Sequence, residues 1–216
     1  MLAVAHRGGN DLDELRRACD AGADVIEADV HLHQGRLEVR HHKSLGPLPW
    51  YWDKWELQPA ARFPLRLDHL LDALPPGTTL MLDLKGVGRA GSRVARALHE
   101  RAPGTPLMVC ARWWPSVLPF RDVPWARTLL SARGDLELRR LRRRLRTGSA
   151  PDGVSLHLSL LTPAVVAEVH EQVPLILTWP VDDRTSLAAA ARVGVDGVIT
   201  KSLDVVADVR AARAPG

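Results

Sequence analysis

The chain alternates two patterns along its length, and this alternation narrows the possible folds more than any other feature. Short runs rich in Val, Ile and Leu read as buried strands. Segments with apolar residues near every 3.6 positions read as helices. The strand candidates are LAVAH from Leu2, DVIEADV from Asp24, TLMLDLK from Thr79 and PLMVCAR from Pro106, then ARTLLSA from Ala126, GVSLHL from Gly153, PLILTWP from Pro174 and DGVIT from Asp196. Near-continuous apolar strands linked through helices need a parallel sheet covered on both faces. Eight of them predict an α/β fold, a closed (β/α)8 TIM barrel. An open doubly wound sheet is the rival, but no strand is followed by a GxGxxG or GxxxxGK phosphate loop. With 216 residues, 46% of them apolar, the chain reads as one domain over 1–216 with enough material for a sizeable core.

Local signals mark the helices. Asp11 with Glu14 has capping-box spacing, and Leu12, Leu15 and Cys19 are expected on one buried face. Thr162-Pro163 and Ser202 read as helix starts, and Gly22 and Gly194 as helix stops. One segment, about 34–65, breaks the alternation. HLHQGRLEVRH reads as a β-hairpin turned at Gln34-Gly35, and an aromatic-rich insertion with Trp50, Tyr51, Trp52 and Trp55 follows. A loop this long within a barrel is usually functional. Its tryptophans are read first as the small core of a lid, and alternatively as an apolar lip for an acyl chain, with Trp113-Trp114 as a facing wall.

Polar residues collect where strands should end. In a barrel the chemistry sits at the C-terminal ends of the strands. Those ends carry His6-Arg7, Glu27 with Asp29, and Asp83 with Lys85, and the hairpin brings His41 and His42 to the same end. Gly8 and Gly9 are expected to free the backbone for a sharp turn and to leave room for an anion beside Arg7. Glu27 and Asp29 are two apart, so both point to one face of a strand. Two such carboxylates plus Asp83, with no cysteine ligand, suit a hard divalent ion. Surface carboxylates on a strand rim would show the same spacing. His6 and His41 can move protons near neutral pH, and a buried structural histidine is the alternative for either. Arg7 and Lys85 are candidates to clamp an anion.

The segments AHRGGN, GADVIEADVHLHQGRLEVRHHKSL, LMLDLKG, LTPAVVAEVHEQVPLILTWPVDD and GVDGVITKSLDVV together resemble the glycerophosphodiester phosphodiesterase (GDPD) family. The resemblance implies a TIM barrel and a metal-dependent phosphodiesterase that cleaves glycerophosphodiesters to glycerol 3-phosphate and an alcohol. The alternatives are a lysophospholipase D and a catalytically impaired barrel that binds phosphorylated ligands. It implies His6 and His41 as catalytic residues and Arg7 and Lys85 as phosphate contacts. Glu27, Asp29 and Asp83 would hold one Mg²⁺ or Ca²⁺ ion, and Trp179 would form a pocket wall. Three positions depart from the family pattern. The Glu-Asn-Thr after the HRG motif is absent, with Asn10 nearby; His42 replaces an Asp; Lys201 replaces another.

The remaining features bound the setting. Two cysteines without ligand spacing, Cys19 and Cys110, read as reduced core residues. With no signal peptide and no apolar span, a cytoplasmic location is expected. In the basic run Leu136 to Arg146, Leu138, Leu141 and Leu145 form a packing stripe. Arg139 to Arg146 then form a solvated face or a contact for a membrane surface. A small-molecule or lysolipid diester is the expected partner. Nucleic acid is not, since no aromatics interleave with these arginines.

Overall fold

Each of the eight apolar runs forms a strand in the computed structural model, which describes residues 1–46, 48, 50–53, 55–59 and 64–213. The first part of the chain forms β1 (Leu2–Ala5), α1 (Leu12–Asp20), β2 (Val25–His33) and β3 (Arg36–Val39). The insertion forms β4 (Lys43–Ser44), β5 (Trp50–Asp53) and β6 (Glu56–Pro59). The barrel resumes with α2 (Leu67–Ala73), β7 (Thr79–Leu84), α3 (Ala90–Arg101), β8 (Leu107–Ala111) and β9 (Ala126–Ala132). It closes through α4 (Asp135–Thr147), β10 (Gly153–His157), α5 (Pro163–His170), β11 (Ile176–Trp179), α6 (Arg184–Val193), β12 (Gly197–Thr200) and α7 (Leu203–Ala211). A 3₁₀ segment, Trp114–Phe120, replaces the helix after β8.

The sheet runs β1-β12-β11-β10-β9-β8-β7-β2, and a β1–β2 pairing shuts the ring. Closure is parallel on both sides of β1, with Leu2 to Ala5 opposite Gly197 to Thr200, and Val4 opposite Val25. The two-residue period of each strand sorts its side chains. Val4, Val25, Met81, Met108, Leu129, Leu177 and Ile199 fill the barrel interior. The alternate residues pack under the helices in a larger core. On β2 the interior face runs Val25, Glu27, Asp29, so the two carboxylates continue an apolar stripe into the mouth.

Local chemistry sets the helix ends. Asp11 caps α1 by accepting from the backbone N–H groups of Asp13 and Glu14. Glu14 does not complete a capping box; it pairs with Arg17. The buried face of α1 is Leu15 and Ala18, while Leu12 is exposed and Cys19 half-buried. Leu12 is the first helical residue, ahead of the turn that packs on the core. Thr162 and Ser202 cap α5 and α7 as the sequence suggests, and Gly194 ends α6 in the left-handed conformation. Along α4, Leu138, Leu141 and Leu145 are buried. Arg139, Arg140, Arg143 and Arg146 face solvent, and Arg142 pairs with Glu168 on α5.

The hairpin turns at Gln34 and Gly35, whose φ values of 47° and 79° are the pair a type I′ turn needs. β3 returns antiparallel to β2, with Val39 opposite Val30. β4, β5 and β6 then form a separate antiparallel sheet. Pro47, Pro49, Lys54 and residues 60–63 of the expected insertion lie outside the described residues. The tryptophans do not form a lid core. Tyr51 is buried, while Trp50, Trp52 and Trp55 are exposed. Alternation along β5 explains this: a strand with one covered face buries Tyr51 and turns Trp50 and Trp52 outward.

Candidate active site

β1 ends by handing its backbone to the neighbouring strands. The His6 N–H donates to the Thr200 carbonyl at 2.7 Å, and the Arg7 N–H donates to Glu27 Oε2 at 2.5 Å. The left-handed residue of this turn is Arg7, with φ 61°, and not a glycine. A non-glycine held in this region stores strain that its surroundings must offset. Gly8 and Gly9 serve packing instead of leaving room for an anion. Both are buried, and a Cβ on Gly9 would lie 2.9 Å from the Ala28 Cβ. Their small size lets the loop press onto β2, where the Gly9 N–H meets the Glu27 carbonyl at 2.9 Å.

Glu27, Asp29 and Asp83 come together at this mouth, each offering an oxygen within 4.8 Å of the others. Asp29 and Asp83 lie opposite each other in the β2–β7 register. Lys85 sits among them, with Nζ 2.6 Å from Asp29 Oδ1 and bonded to Asp83. Burial opposes the Lys85 charge, but Asp83, Asp29 and Glu27 hold its pKa above the ordinary lysine range. Burial also works against the Asp29 carboxylate, yet His41 and Lys85 keep it well below the usual carboxylate value. Glu27 goes the other way: burial and the neighbouring Asp29 push it well up. Burial raises Asp83 too, against the pull of Lys85.

Asn10 brackets Asp29. Its Nδ2 donates to Asp29 Oδ2, and its Oδ1 accepts from the Asp29 N–H, both at 2.8 Å. The loop after Gly9 thus places one side chain that satisfies both the N–H and Oδ2 of the fully buried Asp29. From the other side, the Arg40 N–H donates to the Asp29 carbonyl at 3.0 Å, which sets the following residue, His41, beside the cluster. Arg40 is itself buried. Its guanidinium bonds Glu38 at 2.8 Å and Ser44 Oγ at 2.6 Å, reaches the His42 carbonyl, and lies 4.5 Å over the Tyr51 ring. This one cation ties β3 to the insertion sheet.

His41 lies between two carboxylates. Nδ1 is 3.1 Å from Asp29 Oδ2, and Nε2 is 3.4 Å from Asp53 Oδ2 on β5. His42 turns away and stacks on Tyr51, with centroids 6.5 Å apart. It borders a cavity of about 510 Å³ lined also by Asn10, Arg40, Leu65 and His69, and by none of the three carboxylates. His6 is half-buried and its Nδ1 has no partner; burial, opposed by Asp29, lowers it to about 4. Arg7 Nε lies 3.8 Å from Asp29 and makes no hydrogen bond. Trp179 ends β11, and its ring meets His157 edge-on at 5.0 Å.

The structure therefore gathers His6, Arg7, Glu27, Asp29, His41, Asp83 and Lys85 in one place. Trp179 stands further round the same rim, paired with His157. Trp113 is exposed, whereas Trp114 packs on the core and donates to the Ser131 carbonyl at 3.0 Å. Three site residues escaped the sequence reading: Asn10 in its bracketing role, Asp53, and His31. His31 follows Glu27 and Asp29 at the same two-residue spacing. Its Nε2 is buried without a partner, and burial lowers it to about 4. The spacing was the available signal. Asp53 had none, because its approach to His41 depends on how the insertion folds.

The donor set fits a hard divalent cation. Three carboxylate oxygens converge, Asp29 Oδ1 makes no well-aligned hydrogen bond despite the nearby Lys85, and Glu27 is pushed toward its neutral form. A carboxylate pressed to hold its proton marks a cluster short of positive charge.

These features define a (β/α)8 barrel with an acidic and imidazole cluster at the C-terminal mouth of its strands. Among solved structures, glycerophosphodiester phosphodiesterases share this fold. One from Parabacteroides distasonis is 18% identical, covers 99% of this chain and 98% of its own, and gives a TM-score of 0.74. One from Thermotoga maritima is 16% identical, with coverages of 97% and 98% and a TM-score of 0.68. An Oleispira antarctica phosphodiesterase in complex with the product sn-glycerol-3-phosphate is 15% identical, covers 97% of each chain and gives 0.72. No family profile and no curated protein matches the sequence.

Proposed function

We propose that this chain is a metal-dependent phosphodiesterase of the GDPD family that hydrolyses glycerophosphodiesters to glycerol 3-phosphate and an alcohol. The observation that carries this reading is the meeting of three carboxylates, two imidazoles in unlike surroundings and an arginine nitrogen without a partner at one barrel mouth. Glu27, Asp29 and Asp83 would hold the divalent ion, Mg²⁺ or Ca²⁺ by the hardness of the donors. The ion would supply charge stabilisation at the phosphate.

The protein's own groups divide the remaining work. Burial holds His6 neutral at pH 7, so its free Nδ1 or its Nε2 can take a proton from the attacking hydroxyl or water. His41 faces a carboxylate at each ring nitrogen. In this reading His41, oriented by these two carboxylates, is the group that protonates the departing alcohol. Arg7 can turn its guanidinium to the phosphate oxygens, and Lys85 offsets the repulsion among the carboxylates and adds charge beside them. Trp179 and His157 would wall the pocket.

The reading takes 1–216 as one domain whose insertion completes the mouth by supplying Asp53. The free Cys19 and Cys110 agree with a reducing, cytoplasmic setting, and no described helix is long and apolar enough to cross a membrane. Lysophospholipids are a second substrate class, favoured by the exposed tryptophans of the insertion. Steady-state kinetics of His6→Ala and His41→Ala on a glycerophosphodiester test the assignment. Each should lose about 10²–10⁴-fold in kcat, and wild-type rates in both would refute it.

A further inference from the structure

The large apolar side chains that the described residues leave exposed are not scattered. Apart from Leu118, in the middle of its 3₁₀ segment, every one follows the C-terminal end of a β-strand or lies in the insertion. Trp50, Trp52 and Trp55 belong to the insertion. Val87 follows β7, Trp113 follows β8 and Leu136 opens α4. Trp55 is 96% exposed and Val87 73%. Parallel strands put all these points on the face that holds the carboxylate cluster, and the opposite face has none among the described residues. Single exposed apolar residues need no explanation, but a one-sided set around one barrel mouth does.

The same rim carries cations. Lys43, Arg89, Arg133 and Lys201 are exposed, and none forms an ion pair among the described residues. Many of the rim's carboxylates are engaged within the protein. Asp11 and Asp183 cap helices, Asp182 accepts from the Lys201 N–H at 2.8 Å, and Glu137 pairs with Arg112. Lys43 lies 5.3 Å over the Trp52 ring, so a cation and an aromatic face project together. Tryptophans beside lysines and arginines suit a lipid–water interface with anionic headgroups.

We propose that the active-site rim docks on an anionic phospholipid bilayer, so that substrate enters from the membrane surface. The docking stands on the rim alone, and its link to substrate entry rests on the phosphodiesterase reading. This places the membrane contact on the mouth and not on the arginines of α4. That helix runs along the barrel wall and presents its basic face sideways, with Arg142 already paired to Glu168.

Flotation of the full chain with vesicles tests this. The wild type should float with phosphatidylcholine–phosphatidylglycerol vesicles, less with phosphatidylcholine alone, and less as salt rises. Combining Trp55→Ser, Val87→Ser and Trp113→Ser, from three separate loops, should cut the bound fraction about tenfold or more. The combined variant should keep the wild type's far-ultraviolet circular dichroism and Tm, which shows that it folds. Arg139→Glu with Arg140→Glu on α4 should float like the wild type. No flotation of the wild type, undiminished flotation of the rim variant, or loss of flotation in the α4 variant would overturn the proposal. Flotation without hydrolysis would leave docking intact and defeat the phosphodiesterase reading, and hydrolysis without flotation would do the reverse.

Discussion

Replacing Lys85 with methionine removes the cation nearest the three carboxylates while keeping most of the side chain's volume. Its Nζ lies 2.6 Å from Asp29 Oδ1 and bonds Asp83. Two unit charges about 3 Å apart attract by roughly 5–6 kcal/mol at an effective dielectric of about 20, and the cost of burying the ammonium offsets part of that. Breaking one side of a buried ion pair costs about 3–5 kcal/mol net. For a chain of this size that corresponds to a fall in Tm of very roughly 6–20 °C. The loss should be largest in chelator, where the carboxylates repel without relief. Added Mg²⁺ or Ca²⁺ should restore much of it, since saturation at about a hundred times Kd contributes about 2.7 kcal/mol. Differential scanning calorimetry of both proteins, with chelator and with millimolar divalent ion, reads this directly. The ion should raise the variant's Tm more than the wild type's. An unchanged Tm in chelator, or a variant indifferent to divalent ions, would refute the claim that the cluster is short of positive charge.

Asn10→Ala leaves the Asp29 N–H and carboxylate without two 2.8 Å partners; a loss of about 2–4 kcal/mol in chemical denaturation is expected, with weaker divalent binding in calorimetric titration. Asp53→Ala removes the carboxylate facing His41 Nε2 and should lower kcat about tenfold or more at nearly constant KM; with His41→Ala already in place it should cost nothing further, and additive losses would assign Asp53 a merely structural part. Burial lowers His31 to about 4, against about 6.5 in the unfolded chain. Between those values the unfolded chain binds more protons, so this histidine's contribution to stability falls as pH drops through that window, by up to about 3 kcal/mol. Urea midpoints of wild type and His31→Asn in chelator isolate it, because the opposing effects of Glu27 and Asp83 are common to both; parallel pH profiles would remove it.

What could be read from the chain alone follows the physics of its parts. A strand buried on both faces must be apolar nearly throughout, so the eight runs stand out. A carboxylate pair two residues apart within such a run can only share a face. That logic placed Glu27 and Asp29 together, and one further step of two would have reached His31. Contacts between remote segments leave no such trace. Asn10 reaches Asp29 because the loop before it is packed down through Gly9 on Ala28, a fit that a sequence does not display. Asp53 meets His41 only through the fold of a sheet that Arg40 anchors. The turn at Arg7 shows the opposite error, since glycines suggest backbone freedom but here fill a tight contact. The insertion misleads in a related way. Its aromatic richness suggests a core, yet alternation along Trp50, Tyr51 and Trp52 buries only the middle residue.

The central claim, phosphodiester hydrolysis at the Glu27–Asp29–Asp83 mouth, is tested most directly by following glycerophosphocholine by phosphorus NMR with the purified chain. With Mg²⁺ or Ca²⁺ the diester signal should give way to that of glycerol 3-phosphate, with chelator it should persist, and Asp29→Asn should abolish the conversion. Binding of the diester without turnover under every metal, or turnover that survives both chelator and Asp29→Asn, would contradict the account.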